Sequence, residues 1–379
     1  MKKYKKLCEV CDINMGQSPD SNSYNTEQKG IPFFQGNADF GELYPYVRMW
    51  CNSPKKIVEQ GTLLISVRAP IGALNFASEK SCIGRGLAGI TARSDIELKY
   101  IYYCLKAKRG ELNRKGTGST FKAISKNVLG GIEIEYISLD AQKKCSAILD
   151  KLNEVIRKKK KQIEYADELI KSRFIEMFGD PEQNPNGYPI KDFDEISVLV
   201  TDGEHATPHR TEKGIYLLSA RNILNHALQL DDVDYIDEDE YARIAQRVVP
   251  QAGDVLISCS GSIGRCCVVP DGLQFQMVRS VALIRFDNTI NPIFAEWLIT
   301  SDELQRQIAL SATQSSQANL FQGKIRKLHG YVPPMEFQQE FVAFVEQTNK
   351  SKLTIQKSLD ELETLNKALM QKYFGGNGV

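Results

Sequence analysis

The strongest constraint on this chain is that much of it is written twice. Residues 61–73 read GTLLISVRAPIGA and residues 253–265 read GDVLISCSGSIGR, so Gly61, Leu64, Ile65, Ser66, Ile71 and Gly72 recur 192 positions later. Upstream, IPFFQGN (31–37) has a looser counterpart in IYLLSARN (215–222). Downstream, LDAQKKCSAILDKL (139–152) matches MEFQQEFVAFVEQT (335–348) at an offset of 196, which holds without gaps to Phe178-Gly179 against Phe374-Gly375. A repeat of this kind limits the fold to two copies of one module, with differences in length confined to surface loops. The length of 379 residues suits two domains rather than one core.

Each copy has two parts. The first, 1–139 and 180–335, alternates short β-rich runs (62–67, 254–258, 281–286) with Gly, Pro, Asn and Ser turns, and carries a helical stretch near its end, around 98–108 and 294–310. The second, 140–179 and 336–379, begins with some 38 residues that lack Pro and Gly before Gly179 and Gly375. In it Leu149, Leu152, Ile156, Ile163, Ala166, Ile170 and Met177 fall on alternating three- and four-residue steps, interrupted by Lys159 and Arg173. Val345, Ile355, Leu359, Leu362, Leu369 and Tyr373 repeat the pattern. This is a coiled-coil seam. Asp140 and Glu336 suit the positive end of each helix dipole, and Gly179 and Gly375 suit its close. Thirty-eight helical residues would rise about 57 Å. Neither helix is apolar all round, so the two are expected to pair, antiparallel if the halves are related by an approximate two-fold. The expected fold is α/β (α+β): two tandem domains separated by two long antiparallel coiled-coil helices.

Composition is that of an ordinary soluble protein, 42% hydrophobic and 25% charged, and no apolar run is long enough to cross a bilayer. The start, Met-Lys-Lys-Tyr-Lys-Lys, is basic but no apolar segment follows, so no signal peptide and a cytoplasmic location are expected. Nine scattered cysteines then read as small buried hydrophobes. Cys8-x-x-Cys11 and His205-x-x-x-His209 have metal-ligand spacing but lie too far apart for an ordinary structural zinc site, so no metal is expected. The net charge of +1 hides an asymmetry: residues 1–139 carry 20 Lys and Arg against 13 Asp and Glu, while residues 180–335 carry 13 against 21. Seven carboxylates fall between Asp231 and Glu240: a solvated loop, a face held away from nucleic acid, or a docking surface for a basic partner. Arg157 and Lys158–Lys161 form a basic run that is either a solvated helix face or a contact for phosphates or an acidic partner.

Catalytic signatures are missing. There is no P-loop, H-E-x-x-H, G-x-S-x-G or G-x-G-x-x-G, and Tyr331-Val-Pro-Pro-Met lacks the amide or carboxylate of an amino-methyltransferase turn. Asp20, Glu27 and Lys29 fit a loose PD…ExK nuclease pattern, but in a loop-like stretch whose second copy replaces the Asp with His209. A non-catalytic protein is expected, with a nuclease built on those three residues as the enzyme alternative and a protein-only tandem scaffold as the other.

The order and duplication of LISVRAPIG (64–72) with LISCSGSIG (256–264), GSTFKAIS (118–125) with SSQANLF (315–321), the LDAQ and MEFQ helix starts, and FGDP (178–181) resemble the specificity subunits of type I restriction–modification systems. The resemblance covers essentially the whole chain. It implies two target-recognition domains, 1–139 and 180–335, and two spacer helices, 140–179 and 336–379. It further implies a subunit without activity of its own that reads a bipartite, asymmetric site on double-stranded DNA. Two modification subunits would dock on it, bringing S-adenosylmethionine to methylate adenine, and restriction subunits would join them. This chain would hold no cofactor. A related multi-subunit system with its methyltransferase and nuclease differently arranged is a close variant of the same reading. Base reading needs polar groups at turns and strand ends. In the first domain these are Gln17, Ser18, Gln35, Asn37, Arg68, Arg85, Ser119, Thr120 and Lys122; in the second, His205, Thr207, Arg221, Asn222, Ser260, Arg279, Gln317 and Asn319. Arg68 and Arg279 suit guanine, and Asn37, Gln35 or Asn222 suit adenine. Arg68 faces Ser260 in the repeat, so the two half-sites should differ there.

Overall fold

The computed structural model describes residues 3–118, 122–312 and 319–375. The chain forms two compact units, Met1–Lys160 with Lys357–Val379, and Lys161–Gln356. Both long helices therefore contribute to both units, so the compact divisions fall inside the helices rather than at their ends.

In the first unit an antiparallel sheet runs Cys11–Met15, Leu87–Ala92, Leu63–Ser66, Leu74–Phe76. Leu63, Leu64 and Ile65 are all fully buried, which is why this strand reads as an unbroken apolar run rather than an alternating one. A second sheet pairs Ile31–Phe34 in parallel with Ser81–Ile83. The second unit repeats the plan with the strand order Ser197–Asp202, Val281–Phe286, Val255–Ser258, Cys266–Val268, and pairs Ile215–Leu218 in parallel with Phe275–Met277. The sequence repeat is thus a repeat of topology.

The shared LIS…IG motif is one hydrogen-bonded turn. Ser66 Oγ donates to Pro70 O (2.7 Å) and accepts from Ala73 N (2.9 Å), while Gly72 N donates to Ser66 O (2.9 Å). In the other copy Ser258 Oγ donates to Ser262 O and accepts from Arg265 N (3.0 Å), with Gly264 N on Ser258 O (3.0 Å). Both glycines have φ of +85°, a conformation that a side chain rarely adopts.

The long helices are Leu139–Phe178 and Met335–Phe374. Every expected seam residue is buried or half-buried. The pairing is antiparallel within each unit: Asn153 and Lys160 meet Asn366 and Glu363 in the first, and Asp167 and Arg173 meet Lys352 and Glu340 in the second. A fully buried glutamine anchors each helix start to its unit. Gln142 Oε1 accepts from Glu97 N (3.0 Å) and Nε2 donates to Ile137 O (2.9 Å); Gln338 does the same with Asn291 N (2.7 Å) and Pro333 O (2.7 Å). Seven of the nine cysteines are buried.

Candidate nucleic-acid interface

In the first unit the turn after Ser81–Ile83 carries Gly84, Arg85 and Gly86. Gly84 N donates to Phe34 O (2.8 Å), and Arg85 N to Ser18 Oγ (3.3 Å). A Cβ on Gly86 would lie 2.4 Å from Gln35 O, so only glycine lets this turn meet the 35–39 loop backbone to backbone. Val67 N donates to Gly86 O (2.9 Å) and Ala69 N to Lys122 O (3.0 Å), which brings Arg68 to the same place. Gln35, Asn37, Arg68 and Arg85 accordingly line one cavity of about 580 Å³, with Phe33 and Met49 among its walls. Arg68, Arg85 and Gln35 are exposed, and no residue among those described pairs with either guanidinium. Gln17 and Lys122 are exposed and Ser18 is half-buried. Ser119 and Thr120 lie outside the described residues.

Two charged residues of this cavity were not singled out in the sequence, Asp39 and Arg48. Asp39 Oδ2 accepts from Gln35 N (2.9 Å), capping a short 3-10 turn, Asn37–Asp39. Its Oδ1 accepts from Arg48 Nε (3.2 Å) and Nη2 (2.5 Å). Arg48 precedes the strand Trp50–Cys51, whose counterpart by strand pairing is Asp234–Ile236, and the position matching Arg48 there is Val233, so the repeat gave no signal for it.

The second unit builds the same turn. Val278 N donates to Leu218 O (3.0 Å) as Gly84 N does to Phe34 O, and Glu204 N donates to Met277 O (2.8 Å) as Gln17 N does to Ile83 O (3.0 Å). Arg279 is therefore the structural equivalent of Arg85, and it too is exposed with no partner for its guanidinium among the described residues. Ser260 forms a bridge with Asn319, where Arg68 bridges Ala123. His205 Nε2 lies 2.8 Å from Asp202 Oδ2, Arg221 Nη2 donates to Asp234 Oδ1 (2.8 Å), and Thr207 is exposed. Gln317 lies outside the described residues.

Asn222 requires a correction. It is fully buried, its Oδ1 accepts from Ser219 N (2.9 Å), and its Nδ2 donates to Gln229 O and Asp232 O (both 2.9 Å). Its amide is committed to holding two stretches of backbone, so it has nothing left for a base edge. It caps the 3-10 turn Ala220–Asn222, which makes it the counterpart of Asp39 rather than of Asn37.

The acidic run is largely structural. Asp237 Oδ1 accepts from Glu240 N (2.8 Å) at the start of helix Glu238–Ala245, whose first turn is acidic as the helix dipole favours. Arg243 holds the Glu240 carboxyl down at about 2. Burial raises the Asp234 carboxyl, but Arg210 and Arg221 together bring it below its ordinary value. In the basic run, Lys158 pairs with Glu154, Lys160 with Glu363, and Lys161 lies over the Tyr165 ring.

The nuclease pattern is not assembled as a site. Asp20 pairs with Lys55 (2.9 Å), and Glu27 with Lys29 (2.5 Å), all in exposed or partly exposed positions. Among the described residues no three His, Cys, Asp or Glu side chains are grouped to hold a metal ion. Burial pushes the Cys11 thiol up to about 12, away from the thiolate a metal needs. No described helix is long and apolar enough to cross a membrane.

Comparison with known proteins points one way. Residues 1–165 match the family of type I restriction modification DNA specificity domains. A Methanocaldococcus jannaschii protein assigned to the MjaX type I restriction enzyme as its specificity subunit is 44% identical over 162 residues, which are 42% of this chain and 38% of that protein. The MjaIX type I restriction enzyme specificity subunit of the same organism is 24% identical over an alignment covering 98% of this chain and 92% of its own. The crystal structure of a type I restriction–modification S subunit from M. genitalium has the same fold, with a TM-score of 0.65 at 15% identity, covering 100% of this chain and 96% of that one.

Proposed function

We propose that this chain, whose residues 1–165 match the type I restriction modification DNA specificity domain family and whose full length resembles a type I specificity subunit, reads a bipartite, asymmetric site on double-stranded DNA. Each unit reads one half-site, and the chain itself catalyses nothing. Modification subunits dock on it and supply S-adenosylmethionine and adenine methylation; restriction subunits join the same complex. Gln35, Asn37, Arg68 and Arg85, with Gln17, Ser18, Lys122 and the undescribed Ser119 and Thr120, read the first half-site. Arg279, Ser260, His205, Thr207, Arg221, Asn319 and Gln317 read the second. The observation that carries this reading is the duplicated turn, which sets an exposed arginine, Arg85 or Arg279, at the same point of both units. An arginine so placed has the planar donor set that guanine O6 and N7 accept.

The differences between the copies support asymmetry. Arg68 faces Ser260 in the repeat, and the cation-lined cavity of the first unit has its counterpart in a region where Arg210, Arg221, Arg243 and Arg247 are paired with carboxylates. Each long helix has 40 residues, a rise of about 60 Å, which suits a spacer for half-sites about 34–36 Å apart per turn of DNA. The test is the methylome of cells expressing this chain with a cognate modification subunit, against the modification subunit alone. A gapped, two-part motif seen only with the chain is the expected result. Its absence in well-expressed protein overturns the reading in favour of a scaffold. DNA cleavage by the chain alone, lost in Asp20→Ala, would overturn it in favour of a nuclease.

A further inference from the structure

We propose that Arg48, fixed in place by Asp39, is a specificity-determining residue of the first half-site that selects guanine at one position. The proposal rests on the DNA-reading function above and adds a residue the repeat does not reveal.

Arg48 is held by the 3-10 turn Asn37–Asp39. Its Nε (3.2 Å) and Nη2 (2.5 Å) both donate to Asp39 Oδ1, and Nη2 also donates to Ala38 O (2.7 Å). The guanidinium is thereby gripped along one edge. Nη1 makes no hydrogen bond to any described residue, which leaves a nitrogen with two protons on offer. The Arg48 side chain is 57% exposed and that of Asp39 only 15%, so the cation is outermost and the carboxylate lies behind it. That arrangement hides from phosphate a negative charge that would repel it. Arg48 lines the same cavity as Gln35, Asn37, Arg68 and Arg85.

Isolated surface ion pairs are weak and loosely held. This one differs because the same carboxylate also caps the 3-10 turn through Gln35 N (2.9 Å), so Asp39 is fixed by the backbone and Arg48 by Asp39. An arginine restrained before binding loses less side-chain freedom on binding. Its free nitrogen suits a base edge with adjacent acceptors. In the major groove guanine offers N7 and O6 side by side, whereas adenine sets the donor N6 next to N7.

The second unit isolates the role of the capping residue. Asn222 occupies the position of Asp39 and makes the same bond to the turn, from Ser219 N (2.9 Å). Its amide then donates to Gln229 O and Asp232 O, so it holds backbone where Asp39 holds an arginine. The turn tolerates either side chain, and only the carboxylate recruits a cation. Asp39 is a positioning residue and Arg48 the reader.

The experiment uses the full chain with its modification partner and compares wild type, Arg48→Ala, Arg48→Lys and Asp39→Asn. Asp39→Asn should fold, because Asn222 already supports the equivalent turn. Methylome sequencing should show one guanine of the first half-site becoming degenerate in Arg48→Ala, with the second half-site unchanged as an internal control for folding. Asp39→Asn should relax the same position partly, and Arg48→Lys should fail to restore it. Binding to a cognate duplex against one changed at that base pair should lose about tenfold or more in discrimination. Uniform weakening on all sequences, with the salt slope reduced by about one, would show Arg48 to be a phosphate contact and overturn the proposal. So would an unchanged motif in Arg48→Ala, and a wild-type Asp39→Asn would remove the positioning role. If wild type itself yields no motif, the DNA-reading function fails as well, which separates the two failures.

Discussion

Replacing Gln338 tests whether the long helices are bolted to their units by hydrogen bonds or merely packed against them. Gln338 is fully buried and satisfies three backbone groups at once: it accepts from Asn291 N (2.7 Å) and donates to Pro333 O (2.7 Å) and Thr289 O (3.1 Å). Gln338→Ala strips those partners. A buried backbone group left without one costs about 1–3 kcal/mol. Since the gap left by the side chain admits water to part of the site, one to two such penalties should survive, about 3 kcal/mol in all. Gln338→Met keeps the volume and excludes that water, so it should be at least as destabilising as alanine. The chain has two tryptophans, Trp50 in the first unit and Trp297 in the second, so a Trp50→Phe background reports the second unit by fluorescence during urea unfolding. The matching change Gln142→Ala should cost less, about 2 kcal/mol, because its third bond, to Asp95 O, is long at 3.4 Å. A Gln338→Met chain as stable as wild type would refute the reasoning, since apolar contact alone would then be holding the helix.

Three further outcomes follow from buried charge, backbone conformation and pH. Asp254 is almost wholly buried and is held by Arg285 through Nε (2.7 Å) and Nη2 (2.8 Å), so Arg285→Ala should cost about 3 kcal/mol in the same urea assay. The first unit has Thr62 and Thr91 at the corresponding positions, so Asp254→Thr with Arg285→Thr should regain most of that loss. Gly264→Ala should destabilise more than Gly72→Ala. Both have φ of +85°, but the added Cβ would meet at 2.8 Å the amide of Gln305, which is tied down by Nε2 donating to Gly264 O and Ile299 O, whereas at Gly72 it would meet at 3.1 Å the Cγ of the Arg109 side chain, unanchored among the described residues, a difference that differential scanning calorimetry can compare. Glu240, held at about 2 by Arg243, has a folded value below its ordinary 4.5. Its contribution is therefore complete above pH 4.5 and is lost as pH falls toward 2, so the second unit's urea midpoint should drop across that window and Glu240→Gln should flatten the slope.

The sequence made the fold visible where side chains serve the backbone. Ser66 and Ser258, Gly72 and Gly264, Gln142 and Gln338 each satisfy main-chain groups in a fixed geometry that both copies need, so the residues persist and the repeat can be seen. The long helices were legible because their seam has to be apolar at a regular spacing. The parallel pairing of Ile31–Phe34 with Ser81–Ile83 was not, because nothing local specifies partners almost fifty residues apart. The candidate site was legible in part. Arg68 and Arg85 lie inside or beside repeated segments, and the structure brings both to one cavity with Gln35 and Asn37. Asn222 was misread because matching it to Asn37 followed the letters, whereas the hydrogen bonds of the cap match it to Asp39. Arg48 was missed because the matching position of the second copy, Val233, carries no polar group and the letters around the two do not align.

The same division explains how one duplicated module becomes two different readers. A residue whose hydrogen bonds go to the main chain of its own turn can change only to a side chain that makes the same bond: Ser66 and Ser258 agree, and Asp39 gives way only to the isosteric Asn222. A residue at the same turn whose side chain faces outward is released from that constraint. Arg68 stands opposite Ser260 and Gln17 opposite Glu204, each on an equivalent backbone, while Asp39 stands opposite the buried Asn222 within the turn itself. At Asp39 one amide-for-carboxylate difference leaves the cap bond intact and exchanges an arginine for two carbonyls as the outer partner. Specificity then diverges at little cost to the fold, because each outward change is uncoupled from the bonds that set the strand order and the turn. Arg85 and Arg279 are the exception that fits: they face outward and still agree. An outward residue that agrees is under a constraint other than folding, and an anionic partner met by both units in the same way supplies one.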